Sequence, residues 1–141
     1  MGPFDRVISS TLVRAAETAV AMGFAVNVEE ELISTYGDEV QKEAPWPQTF
    51  AAYAKAISQG GATKKYAGML FDFYAQFAGA LHDGGSALVI SHGGVVEIGA
   101  VACFPDVKHG AWGTHLGLCE GVRLLWNDGK FQSAEILRLE K

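Results

Sequence analysis

A chain of 141 residues is sized for one domain, whose folding buries roughly two thirds of the surface that the unfolded chain exposes. Hydrophobic residues make up 49% and charged residues 19%. That excludes a disordered chain, and no run approaches the ~18 uninterrupted apolar residues of a membrane-spanning helix.

Eleven Lys and Arg against 16 Asp and Glu leave a formal charge of −5. The basic residues are scattered, so no stripe offers the counterion release that drives nucleic-acid binding. Cys103 and Cys119 form no CxxC pair, which suggests neither a disulfide framework nor a thiolate metal site. Met-Gly-Pro-Phe-Asp at the start has no basic n-region and no apolar h-region, so no secretory signal is expected. The expected setting is cytoplasmic, with neither nucleic acid nor membrane as a partner.

In chain order, Arg6-Val7-Ile8-Ser9-Ser10 predicts a short strand. Ser10 or Thr11 can cap the helix that follows, with Leu12, Ala16, Ala19, Val20 and Gly23 at helical spacing. Residues 25–28 predict a second short strand. Gly37, Pro45 and Pro47 interrupt residues 36–47, which read as loop. Helices are expected over 49–58 and 63–81, split by Gln59-Gly60-Gly61, the second presenting Tyr66, Met69, Leu70, Phe73 and Phe77 to the core.

After Asp83-Gly84-Gly85, the apolar run at 86–91 predicts a strand buried on both faces, at the centre of a parallel sheet. His92-Gly93-Gly94 then opens a helix running to about Cys103. Residues 122–126 and 131–139 form a hairpin turning at Asn127-Asp128-Gly129. The alternation gives an α/β class, expected as three layers: a mostly parallel sheet, helices on both faces and a C-terminal hairpin.

Two strand-to-helix junctions, Ser9 to Arg14 and Ser91 to Gly94, carry polar side chains where α/β folds put their sites. Arg14 falls in the first turn of its helix, where the macrodipole disfavours a cation by a few tenths to ~1 kcal/mol unless an anion lies nearby. The alternative is a solvated Arg14 paired with Glu17 one turn on. His92 and the free N–H groups of a Gly-Gly helix start can face one anion together; the alternative is a hydrogen-bonded structural imidazole. His82, His109 and His115 have no metal-ligand spacing, and no metal or cofactor is implied.

Taken together, Phe4-Asp5-Arg6-Val7-Ile8-Ser9-Ser10-Thr11-Leu12-Val13-Arg14-Ala15-Ala16-Glu17-Thr18-Ala19 and the downstream Leu88-Val89-Ile90-Ser91-His92-Gly93-Gly94 resemble the histidine phosphatase (phosphoglycerate mutase-like) superfamily. The first segment is similar to that family's strand-Ser-Ser-x-x-x-Arg-Ala-x-x-Thr-Ala element, which implies a phosphoryl-binding role for Arg14. The second is similar to its Ser-His-Gly element, which implies that His92, with the Gly93 N–H, donates to the same phosphoryl oxygens. The tail hairpin also resembles the family's ending.

The resemblance implies a hydrolase acting on a phosphomonoester through a phosphohistidine, with a small phosphorylated molecule or phosphate as ligand. The family's opening strand carries an Arg-His-Gly with the nucleophilic His, and no Arg-His-Gly occurs in these 141 residues. The expectation is therefore a truncated chain lacking a central strand, close to inert alone, with a rearranged sheet or a homodimer covering the exposed edge. The family's usual Leu-x-Glu acid is replaced by Leu32-Ile33-Ser34. Glu31 is the substitute acid, with Asp38 and Glu39 as rivals, and a solvated carboxylate run at 29–31 as the alternative. Residues 36–61, with Tyr36, Trp46 and Phe50, are a candidate cap insertion.

Two other classes compete: a non-catalytic phosphoanion- or partner-binding pseudophosphatase, and an α/β hydrolase using Ser91. The latter lacks the Gly-x-Ser-x-Gly elbow.

Overall fold

Residues 4–139 are described, from a computed structural model. β1 (Arg6–Ser10) lies between β2 (Val28–Glu30) and β3 (Ala87–Ile90) in a three-stranded parallel sheet. The register pairs Ile8 with Val28 on one side and with Val89 on the other. β4 (Gly121–Asn127) and β5 (Lys130–Leu137) form a separate antiparallel hairpin. Asp128 at φ 53° and Gly129 at φ 74° make its two-residue turn, where two successive positive φ values match the twist of the strands.

Five helices connect these strands: α1 (Val13–Ala21), α2 (Gly37–Glu43), α3 (Phe50–Ser58), α4 (Ala62–Ala80) and α5 (Val95–Cys103). Side chains set two of the helix starts. Thr49 Oγ1 accepts the Ala52 N–H at 3.1 Å to open α3. The Glu43 carboxylate accepts the N–H groups of Ala62 and Thr63 and the Thr63 hydroxyl at the start of α4. Gly61 is required there because a Cβ would stand 2.4 Å from that carboxylate.

The main core gathers Ile8, Ile33, Val40, Tyr53, Tyr66, Leu70, Val95 and Ile98 from the sheet, the turn after β2 and four of the helices. Each aliphatic side chain among them contributes roughly 1.5–3 kcal/mol by leaving water. Val7, on the opposite face of β1 from Ile8, is also buried, and α1 packs against β1 and β3. A second cluster, Phe50, Ala100, Val101 and Leu116, joins α3 and α5 to Val122 and Ile136 of the hairpin.

The structure corrects six sequence expectations. The run at 86–91 is not central. β3 is an edge, its four residues half-buried, and β1 occupies the centre. The second strand starts at Val28 instead of Ala25, because the Asn27 side chain takes the Val7 N–H at 2.7 Å and its backbone N–H donates to Val7, ending the loop there. α1 buries Ala15 and Ala19 and leaves Val13 and Val20 exposed, so its buried face is rotated from the stripe expected. Neither Ser10 nor Thr11 caps α1, whose N-cap position is Leu12. Residues 36–47 contain the two-turn helix α2, since Gly37 is its first residue, at φ 86°, and the prolines follow it, so none interrupts its hydrogen bonding. Within α4, Met69 of the expected core face is 46% exposed, whereas Tyr66 and Leu70 are buried.

Candidate functional site

The parallel pairing of β1 and β3 brings their carboxyl ends side by side, and the two junctions meet there. Ser10 Oγ and His92 Nε2 are hydrogen-bonded at 2.6 Å across 82 residues of sequence. The charge of Arg14 lies close enough to His92 to push its pKa down, second to the larger effect of burial. The alternative pairing of Arg14 with Glu17 is not formed. Among the described residues no carboxylate comes within ion-pair distance of Arg14.

At the start of α5 the Gly94 N–H is taken by Glu97 Oε1 at 3.1 Å. The Gly93 N–H has no intrachain acceptor among the described residues, so it is the amide left for an anion beside His92. Chemically, the junction offers a guanidinium, an imidazole and a backbone donor, a set suited to phosphoryl oxygens.

The turn at 30–34 is pinned onto the same end of the sheet. Ser34 Oγ accepts the Thr11 N–H at 2.9 Å, Ser91 Oγ donates to Ile33 O at 2.6 Å, and Tyr66 Oη donates to Leu32 O at 2.7 Å. This delivers Glu31, whose Oε2 accepts the Thr11 hydroxyl at 3.0 Å. Glu31 thus stands one residue from Ser10. Its rival Asp38 lies in the first turn of α2, and Glu39 there pairs with Lys42 at 3.3 Å. The Ser91 hydroxyl is committed to Ile33, which removes it as a free nucleophile.

Trp46 and Tyr36, both from the segment expected as a cap, lie against the two glycines. A Cβ on Gly93 would meet Trp46 Nε1 at 2.4 Å, and one on Gly94 would meet the Tyr36 ring at 2.3 Å. Phe50, the third aromatic of that segment, is fully buried in the second cluster and packs edge-on against Trp112. His115 packs edge-on against Trp46 at 5.7 Å. The other imidazoles are structural: His109 binds Phe104 O at 2.7 Å, and His82 pairs with Asp5 at 3.1 Å.

Compared with protein-family models, with curated proteins and with solved structures, the chain gives no significant match.

Sequence reasoning missed Glu97. It is fully buried, bridges Gly94 N to Leu116 N, and has its pKa raised mainly by burial. The signal was its position three residues after Gly94, the spacing at which a Glu reaches back to a helix start. Arg138 was also missed: it donates to the carbonyls of Trp112, Thr114 and His115 and to Glu120, holding the loop that carries His115. Among the described residues no cluster of His, Cys, Asp or Glu has the makings of a metal site. The Cys103 thiol is pushed up to about 12 by burial and stays protonated. Two open depressions, of about 530 Å³ against α3, α4 and α5 and about 420 Å³ along α1, include neither Arg14 nor His92.

Proposed function

We propose that this chain is the phosphoryl-binding part of a histidine phosphatase-like α/β domain of three layers, whose complete form hydrolyses a small phosphomonoester. The observation that carries this reading is the meeting of the two motifs, with Ser10 bonded to His92 and the Arg14 charge acting on the same imidazole. Arg14, His92 and the Gly93 N–H hold the phosphoryl group, and residues 36–61 cap it through Trp46 and Tyr36.

In the complete form a histidine outside these residues attacks phosphorus in line. The P–O ester bond breaks as the P–N bond forms, and Glu31 gives its proton to the leaving oxygen. Water then cleaves the phosphohistidine to release inorganic phosphate. The free edge of β3 supports this reading. Among the described residues no strand pairs with that edge, and the hairpin belongs to a separate sheet. A strand added there parallel to β3 would end beside His92. Without it, a second copy of the chain is the partner that would cover the edge.

A second reading, a non-catalytic phosphoanion-binding module, is favoured by the lack of any Arg-His-Gly in the sequence. Phosphate titration followed by calorimetry tests what the two share. Arg14→Ala is expected to weaken binding about tenfold or more, the worth of a charge-assisted hydrogen bond, and unchanged affinity would reject the site. Hydrolysis of p-nitrophenyl phosphate separates the two. Losing a covalent nucleophile removes several orders of magnitude of rate, so the 141-residue chain should be nearly inert. Restored turnover, with acid-labile phosphoenzyme, in a form extended by an in-frame Arg-His-Gly segment supports the enzyme. Turnover by the 141-residue chain that His92→Ala abolishes would make His92 the nucleophile and overturn the assignment.

A further inference from the structure

Ser10 is fully buried at the end of β1. Its Oγ has two neighbours at hydrogen-bonding distance, the Leu12 N–H at 3.3 Å and His92 Nε2 at 2.6 Å. A backbone N–H can only donate, so Leu12 occupies a lone pair of the hydroxyl and leaves its proton unplaced. Were His92 to donate through an Nε2–H, the Ser10 O–H would have no acceptor in a place that water does not reach, an arrangement native interiors avoid. The remaining solution is that Ser10 O–H donates and Nε2 accepts. Burial and the charge of Arg14 both favour the neutral imidazole that this requires.

We propose that Ser10 is a positioning residue that fixes His92 as its Nδ1–H tautomer, so that the imidazole meets a bound phosphoryl oxygen as a neutral donor through Nδ1. Among the described residues no acceptor bonds Nδ1, and the ring is only partly buried, which leaves this N–H for a ligand. The arrangement also keeps His92 from acting as a nucleophile, because the lone pair of Nε2 is directed at Ser10 and that of Nδ1–H belongs to the ring. Protonating His92 would turn Nε2 into a donor and leave the buried Ser10 O–H without an acceptor. Ser10 therefore holds the imidazole neutral as well as oriented. The donor role rests on the proposed phosphoryl site, whereas the tautomer does not.

The test is nitrogen NMR of the chain with 15N-labelled histidine, with and without inorganic phosphate. In the unliganded protein the His92 Nε2 resonance is expected in the unprotonated range and Nδ1 in the protonated range. Ser10→Ala should shift the population toward Nε2–H, the form free imidazoles prefer, and weaken phosphate about three- to tenfold. Ser10→Thr, which keeps the hydroxyl, should restore both. A protonated Nε2 in the neutral unliganded protein, or a tautomer that Ser10→Ala leaves unchanged, overturns the proposal. If the tautomer is as proposed but phosphate leaves the His92 resonances unmoved, the donor role falls together with the phosphoryl site and the tautomer assignment stands.

Discussion

Glu97 and Leu116 are joined by a hydrogen bond from the Leu116 N–H to Glu97 Oε2 at 3.3 Å, while the other carboxylate oxygen holds the Gly94 N–H. One buried side chain thereby ties the start of α5 to the loop that carries His115.

Glu97→Gln keeps the shape but offers one acceptor to two amide donors, so a buried N–H loses its partner at a cost of about 1–3 kcal/mol. Because burial raises the Glu97 pKa above its ordinary 4.5, its ionisation opposes folding. The carboxyl contributes most below the unfolded pKa, and stability is lost as pH rises through the folded value. Urea unfolding is expected to find Glu97→Gln more destabilising below pH 4.5 than well above the folded pKa of Glu97. A difference independent of pH would contradict the raised pKa.

Arg14→Ala removes the smaller of the two causes that lower the His92 pKa and leaves the larger, burial. His92 should then titrate at higher pH than in the parent chain yet still below 6.5. A histidine with a lowered folded pKa stabilises the fold fully above 6.5 and loses that contribution as pH falls toward the folded value. Proton NMR of the His92 ring measures the shift, and an unmoved titration would place Arg14 away from the imidazole.

The Asp5–His82 pair behaves oppositely at its upper limb. His82 is raised, chiefly by its bond to Asp83 O and then by Asp5, and Asp5 is lowered, chiefly by the Ser86 backbone and then by His82. Asp5 contributes above 3.8 and loses its contribution as pH falls through its folded pKa. His82 contributes below 6.5 and loses its contribution as pH rises through its folded pKa. The staple between the start of β1 and the turn before β3 is therefore strongest between about pH 4 and 6.5. Replacing His82 by Gln should flatten the thermal-stability profile on the alkaline side of that window, as read by calorimetry.

The two site glycines should respond differently to alanine. Gly94 has φ 85°, and a Cβ there would meet the Tyr36 ring at 2.3 Å. Backbone strain and overpacking together cost about 2–5 kcal/mol. Gly93 lacks a positive φ, and its Cβ would meet Trp46, which is 47% exposed and free to swing outward. Gly93→Ala should cost under ~1 kcal/mol while changing the near-UV dichroism of the indole. Equal destabilisation of the two variants would show that Trp46 is as firmly held as Tyr36.

Local chemistry was enough to read β1, α3, α4, α5 and the hairpin from the sequence. Each rests on interactions within a few residues: the Thr49 cap, the Gly60-Gly61 break, the Asp128-Gly129 turn, the apolar spacing of Tyr66 and Leu70. The same local signals misplaced β3, because an apolar run of strand length looks alike at the centre of a sheet and at its edge, and only the pairing order distinguishes them. They also assigned Ser10 to a helix cap, since a hydroxyl at a strand-to-helix junction has two possible partners and the nearer one in sequence is Leu12. What the sequence determined by itself was that Arg14 and His92 occupy two junctions of one α/β chain. Tertiary structure decided that Ser10 faces His92, that Arg14 has no carboxylate partner among the described residues, and that Glu97, Trp46 and Arg138 frame the site. Those outcomes depend on parallel pairing between strands some eighty residues apart, which brings their ends together regardless of what lies between them.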